Sequence, residues 1–188
     1  MMHSRILKHA RNAFFFALSV ILFGTLLCRT ARVHAQARPS PHTNVLSVDV
    51  LPLAYDYPLT LQYEFKSDPV SSWVFRLHFW PSPDPSGDWS GYGIGAAYRI
   101  YIADSRALTG LSVAPAADVF FFHETLFGTS QRTAIGADIG GDLAYKWIFD
   151  QFAVEPLLGL RIGLEPNVAP GRGSGLEGLI GLFAGYAW

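Results

Sequence analysis

Apolar residues return at every second position through most of this chain. From Tyr57 the odd positions read Tyr57, Leu59, Leu61, Tyr63 and Phe65, with Pro58, Thr60, Gln62 and Glu64 between them. Side chains of a β-strand point alternately to its two faces, so one face of this segment is oily and the other polar. The same parity holds in Trp73, Phe75, Leu77 and Phe79 against Arg76 and His78. It holds again in Tyr92, Ile94, Ala96, Tyr98, Ile100 and Ile102 against Gly93, Gly95, Arg99 and Tyr101. Leu111, Val113, Ala117, Val119 and Phe121 oppose Ser112, Ala114, Ala116 and Asp118, and Ile135, Ala137, Ile139, Leu143, Tyr145 and Trp147 oppose Gly136, Asp138, Gly140, Asp142 and Lys146. Two further segments close the series: Phe152, Val154, Leu158, Leu160, Ile162 and Leu164 against Glu155, Gly159, Arg161 and Gly163, then Leu176, Ile180, Leu182, Ala184, Tyr186 and Trp188 against Glu177, Gly181 and Gly185. With Val45 to Ala54 as the first and least regular strand, the pattern predicts eight.

Strands of this length suit a tilted crossing of a bilayer, which takes about 9–11 residues. The predicted fold is all-β: an eight-stranded antiparallel up-and-down transmembrane β-barrel, closed because an open sheet edge in hydrocarbon leaves backbone polar groups unpaired. The polar face decides which side meets lipid. It mixes glycine with Glu64, Arg76, His78, Arg99, Asp118, Asp138, Asp142, Lys146, Glu155, Arg161 and Glu177. Inside a narrow barrel these side chains form an interior ionic network and the glycines leave them room.

The aromatic residues and the connections agree with that orientation. With strands running up and down, one rim collects Phe65, Trp73, Tyr145, Trp147, Phe152, Tyr186 and Trp188, and the other collects Tyr57, Phe79, Tyr92 and Phe121. Two such girdles are expected of a membrane barrel. Short connections near Lys66 to Ser72, Ala103 to Thr109 and Ile148 to Gln151 alternate with longer ones at Pro81 to Ser90, His123 to Arg132 and Glu165 to Gly175. That is the asymmetry of short periplasmic turns and longer outer loops. Only the connection at Ala54 to Tyr57 is tight where a loop is expected.

In these features, and in a final strand ending Tyr186-Ala187-Trp188, the chain resembles the small outer-membrane barrels of the OmpA-like transmembrane type. The resemblance implies insertion through the barrel-assembly machinery, which reads the C-terminal strand, and residence as a monomer among outer-membrane lipids of a Gram-negative-type cell. One position departs from the family, which often has glycine where this chain has Phe183.

Residues before the barrel read differently. Arg5, Lys8 and Arg11 precede an apolar run from Ala13 to Leu27, and Ala35-Gln36-Ala37 follows. That order is the form of a secretory signal peptide, cleaved after Ala35 or Ala37. Residues 1–37 are therefore expected to be the signal peptide and 38–188 the barrel domain. The single cysteine, Cys28, lies in the part removed. Five of the 14 Lys and Arg lie there too, leaving nine against 15 Asp and Glu, a net charge near −6. Such a balance argues against a nucleic-acid partner.

No motif in the chain specifies catalysis, a cofactor or a metal. His123-Glu124 opens like a zinc-protease helix, but Phe127 stands where the second histidine is required. Asp84 and Asp88 could hold a calcium ion weakly, but beside Pro and Gly the plainer reading is turn chemistry. Asp138 and Asp142 face inward as a conceivable acid and base, with salt bridges to Lys146, Arg161 or Arg99 as the plainer reading. The expected function is therefore structural or surface-interacting and non-enzymatic. Two alternatives stand beside it: a lipid A deacylase or acyltransferase using His78 with an inward serine such as Ser112, and a soluble secreted barrel that binds a lipophilic ligand.

Overall fold

The computed structural model describes residues 42–53, 58–80, 89–102, 108–126, 130–164 and 175–188. The segment 1–37 expected to be a signal peptide, with Cys28, and the expected girdle residue Tyr57, together with Asp84, Asp88 and Phe127, lie outside the described residues.

Eight strands form one antiparallel sheet: β1 (Asn44–Asp49), β2 (Leu59–Asp68), β3 (Ser71–Trp80), β4 (Trp89–Tyr101), β5 (Gly110–Leu126), β6 (Ser130–Phe149), β7 (Phe152–Leu164) and β8 (Leu176–Ala187). Each pairs with its neighbour in the chain, and β1 pairs with β8, so the sheet is a closed up-and-down barrel. Closure gives every strand a hydrogen-bonded neighbour on both sides. The seam runs from Val45 opposite Ala187 to Asp49 opposite Phe183.

The alternation lands as its parity requires. Leu61, Leu77 and Ile139 face outward at 37, 43 and 47 % exposure, while Arg99 is fully buried and Asp138 nearly so. The middle of the outer surface is of this kind, with Ile94, Leu143, Leu158, Leu160 and Ile162 all exposed. No described helix is long and apolar enough to cross a membrane.

Two predicted boundaries need correction. The first strand stops at Asp49 instead of running to Ala54, and Leu51–Leu53 make a short 3-10 turn. Pro52 has no backbone N–H to give a ladder, and the Asp49 carboxylate accepts the Leu51 N–H at 3.0 Å, folding the chain back. The connection expected at His123 to Arg132 is mostly paired strand, with His123 opposite Thr133 and Leu126 opposite Ser130. Its polar sequence hid the pairing, because strand above an apolar band needs no oily face.

The barrel has distinct ends. At the turn end, β2 and β3 join through Asp68–Ser71, where the Val70 N–H donates to the Asp68 carboxylate at 2.9 Å. At the same end Phe149 faces Phe152 across a two-residue turn whose Asp150 takes φ 58°. Leu108, also at positive φ (74°), is fully buried in an apolar plug with Val45, Ala153 and Ala187. A bulky residue rarely adopts this conformation, so its burial there reflects packing that outweighs backbone strain. The opposite, loop end holds Asp49, Thr60, His78, Trp80 and Glu177.

Strands β6 and β7 approach so closely at Gly140 that a Cβ there would collide with the Leu160 carbonyl. Backbone cannot yield as a flexible side chain does. Gly140→Val is therefore expected to destabilise the barrel by about 1–3 kcal/mol, read as a lowered midpoint in a guanidinium unfolding titration.

Candidate functional site

Inward-facing charges gather in two groups, stacked above the apolar plug. The lower group centres on Arg99 of β4. Its Nη1 lies 2.8 Å from Glu64 Oε2 and 2.7 Å from Glu155 Oε2, and its Nη2 donates to Glu155 Oε1 at 2.8 Å. Lys146 pairs with Glu64 and, at 2.8 Å, with Glu155. Tyr101 Oη donates to Glu64 Oε1 at 2.7 Å, and Ser72 donates to the same oxygen. Two carboxylates thus meet two cations, and the cluster is neutral. That balance is what permits it to be fully buried, since an unpaired ion there costs several kcal/mol.

The upper group repeats the two-to-two balance. Arg76 Nη2 and Arg161 Nη1 each lie 2.6 Å from an oxygen of Asp142. Arg161 Nε donates to Asp118 Oδ2 at 3.1 Å. Gln62 joins the two groups: its Nε2 donates to Glu155 at 3.2 Å, and its Oε1 accepts from Arg76 Nε at 3.2 Å. Glycines make the space. The Asp118 carboxylate occupies the place a Cβ would take on Gly95, and Asp142 Oδ1 lies 2.9 Å from where Gly159 would carry one.

His78 extends the upper group. Its Nε2 is 3.2 Å from Asp118 Oδ1, and its Nδ1 is 3.0 Å from Thr60 Oγ1. The ring packs on Phe120 with centroids 5.4 Å apart, and Phe120 meets Trp80 edge-on at 5.1 Å. A cavity of about 80 Å³ opens among these residues, with Asp49, Asp138, Phe183 and Glu177 also on its wall.

Of the predicted interior residues, Glu64, Arg76, His78, Arg99, Asp118, Asp142, Lys146, Glu155 and Arg161 are thereby brought into direct contact. Asp138 is buried on the cavity wall. Glu177 is half-buried there and makes no ion pair among the described residues. Asp138 and Asp142 do not form an acid–base couple, because Asp142 is held by two arginines. Ser112 is not the neighbour of His78: His78 is level with Gly93 and Phe120, whereas Ser112 stands opposite Tyr101 at the turn end and donates to the Ala144 carbonyl at 3.3 Å. The neighbour is Thr60, directly across the β2–β3 ladder. Thr60, Gln62, Ser72 and Tyr101 were not predicted as site residues, although all have the inward parity.

On the outer face, the turn end carries Phe65, Trp73, Tyr145, Phe152, Tyr186 and Trp188. Contacts link several of them with neighbours there: Tyr63 to Trp188, Trp73 to Tyr98 at 5.0 Å, and Tyr145 to Trp147 at 4.6 Å. Trp147 differs from the rest in being buried, at 7 % exposure, on a parity that faces outward. Phe79, Tyr92 and Phe121 stand level on β3, β4 and β5 towards the loop end.

The chain matches no family model, and no curated protein or solved structure matches it. What the geometry defines is a class: a closed eight-stranded antiparallel barrel with an apolar outside and buried ion-paired clusters in its lumen.

The lower cluster makes a stability prediction. Arg99→Leu leaves Glu64 and Glu155 sharing one ammonium and is expected to destabilise the barrel by about 3–5 kcal/mol. Arg99→Leu combined with Glu155→Leu restores charge balance around Glu64 and Lys146. The double variant should recover part of the loss in the same unfolding titration, a non-additivity that a double-mutant cycle measures.

Proposed function

We propose that this chain is an exported outer-membrane barrel of the OmpA-like kind, with a structural or surface-interaction role that requires no chemistry. The observation that carries the reading is the reversed polarity of the sheet. Leu, Ile, Val and aromatic side chains cover the outside, and the buried interior is where Glu64, Arg76, Arg99, Lys146, Glu155 and Arg161 lie. In water, exposing that much contiguous apolar surface is unfavourable at about 25 cal/mol per Å². Acyl chains remove the penalty. Aromatic side chains near both ends of the apolar band support the same reading, since Trp and Tyr favour the headgroup level.

The signal peptide at 1–37 supplies export across the inner membrane, and β8, the strand that closes the sheet on β1, is the segment the insertion machinery would read. The apolar plug and the salt-bridged layer above it fill the turn end of the lumen, as expected of an eight-stranded barrel. A wide diffusion path is therefore not part of the proposal. Contact with other molecules falls to the loop end.

A charge on the outer face separates this reading from a soluble ligand-binding barrel. Leu77 lies mid-strand between Leu61 and Ile94. Leu77→Arg is expected to lower stability in phospholipid vesicles by about 2–4 kcal/mol. In a water-soluble barrel the same change would fall within about 0.5 kcal/mol, as surface substitutions do. The unsubstituted protein should fractionate with the outer membrane and run faster on a gel before boiling than after. Recovery in the soluble periplasmic fraction without detergent would overturn the proposal.

A further inference from the structure

We propose that Thr60, His78 and Asp118 form a nucleophilic centre that hydrolyses esters of short acyl groups, a capacity beyond the scaffold role. The three side chains make one chain of hydrogen bonds, Thr60 Oγ1 to His78 Nδ1 at 3.0 Å and His78 Nε2 to Asp118 Oδ1 at 3.2 Å. Asp118, whose other oxygen is bonded to Arg161 Nε, accepts the Nε2 proton. In the neutral ring this leaves Nδ1 as the acceptor facing the threonine hydroxyl. A hydroxyl, a base that accepts its proton and a carboxylate that orients the base are the parts of an activated nucleophile.

The surroundings supply what else acyl transfer needs. Arg76 and Arg161 line the same cavity, both are more than nine-tenths buried, and each keeps a guanidinium nitrogen, Nη1 and Nη2 respectively, without a hydrogen-bond partner. Such donors stabilise the oxyanion that develops on an attacked carbonyl. The cavity of about 80 Å³ has room for a two-carbon acyl group. It lies at the loop end, the side of the lumen away from the apolar plug.

The cycle balances with water as the co-reactant. Thr60 Oγ1 attacks the ester carbonyl carbon while its proton moves to His78 Nδ1. The tetrahedral adduct expels the alcohol, which takes that proton, and leaves acyl-Thr60. Water then attacks the acyl carbon with His78 as base, Thr60 recovers its proton, and the carboxylic acid departs. Thr60 and His78 are the catalytic residues here, and Asp118 is a positioning residue.

The full chain folded in detergent is tested with p-nitrophenyl acetate, following nitrophenolate release and locating the acetyl group by peptide mass spectrometry after an acid quench. The unsubstituted protein and Thr60→Ser are expected to turn over the ester and to carry acetyl at position 60. Thr60→Val and His78→Gln should lose at least about 100-fold in kcat/KM, the usual weight of a general base. Asp118→Asn should lower kcat with little change in KM, a split that loss of packing alone would not give. Retained gel mobility before boiling establishes that each variant is folded. Equal rates in the unsubstituted protein and Thr60→Val, absence of turnover in both, or acetyl found only at other residues would overturn the proposal.

Discussion

Pairing of β1 with β8 is the constraint from which the rest follows. Once the sheet closes, its two faces become an inside and an outside with no exchange between them, and every side chain is assigned to one by parity. An eight-stranded ring is narrow, so its inner face must be filled and balanced. The two clusters meet that demand with equal numbers of carboxylates and cations, and Gln62 ties one to the other. Because the charges lie within reach of one another across the ring, they are buried as pairs.

The same closure explains why the parity of the sequence was so informative. A one-residue shift in any strand would carry Arg99 or Glu155 to the outside and Leu77 or Ile139 into the lumen, so register is strongly specified. The strands, their number and the two faces were therefore readable from hydrophobic spacing alone. Boundaries were less so where that spacing stops. β1 ends early through the local effect of Pro52 and the Asp49 carboxylate. β5 and β6 run on past the apolar band through polar residues that give no periodic signal.

Partners across the lumen were beyond what spacing can show. Arg99 and Glu155 are 56 positions apart, and which inward side chains meet depends on the stagger of all eight strands. Parity identified Asp118 and His78 as interior residues but gave no reason to join them to Thr60, a residue with no charge to attract notice. Ser112, equally inward, was the more obvious companion for His78 and lies at the wrong level. Depth along the axis, which the ladder registers supply, is the missing coordinate.

Depth also separates two uses of the same buried polar chemistry. At the turn end, Arg99, Lys146, Glu64 and Glu155 satisfy one another above a plug of Val45, Leu108, Ala153 and Ala187, and the arrangement is a closed account of charge with a structural result. At the loop end the balance is less complete. Arg76 and Arg161 retain donors without partners, Asp49, Asp138 and Glu177 add further carboxylates to the wall, and a cavity opens beside aromatic rings. Stability alone would favour filling that space with apolar side chains, as β3, β5 and β8 partly do through Trp80, Phe120 and Phe183. Polar groups held in a space of this kind are pre-organised to meet a small molecule, because the barrel wall fixes their positions before anything arrives.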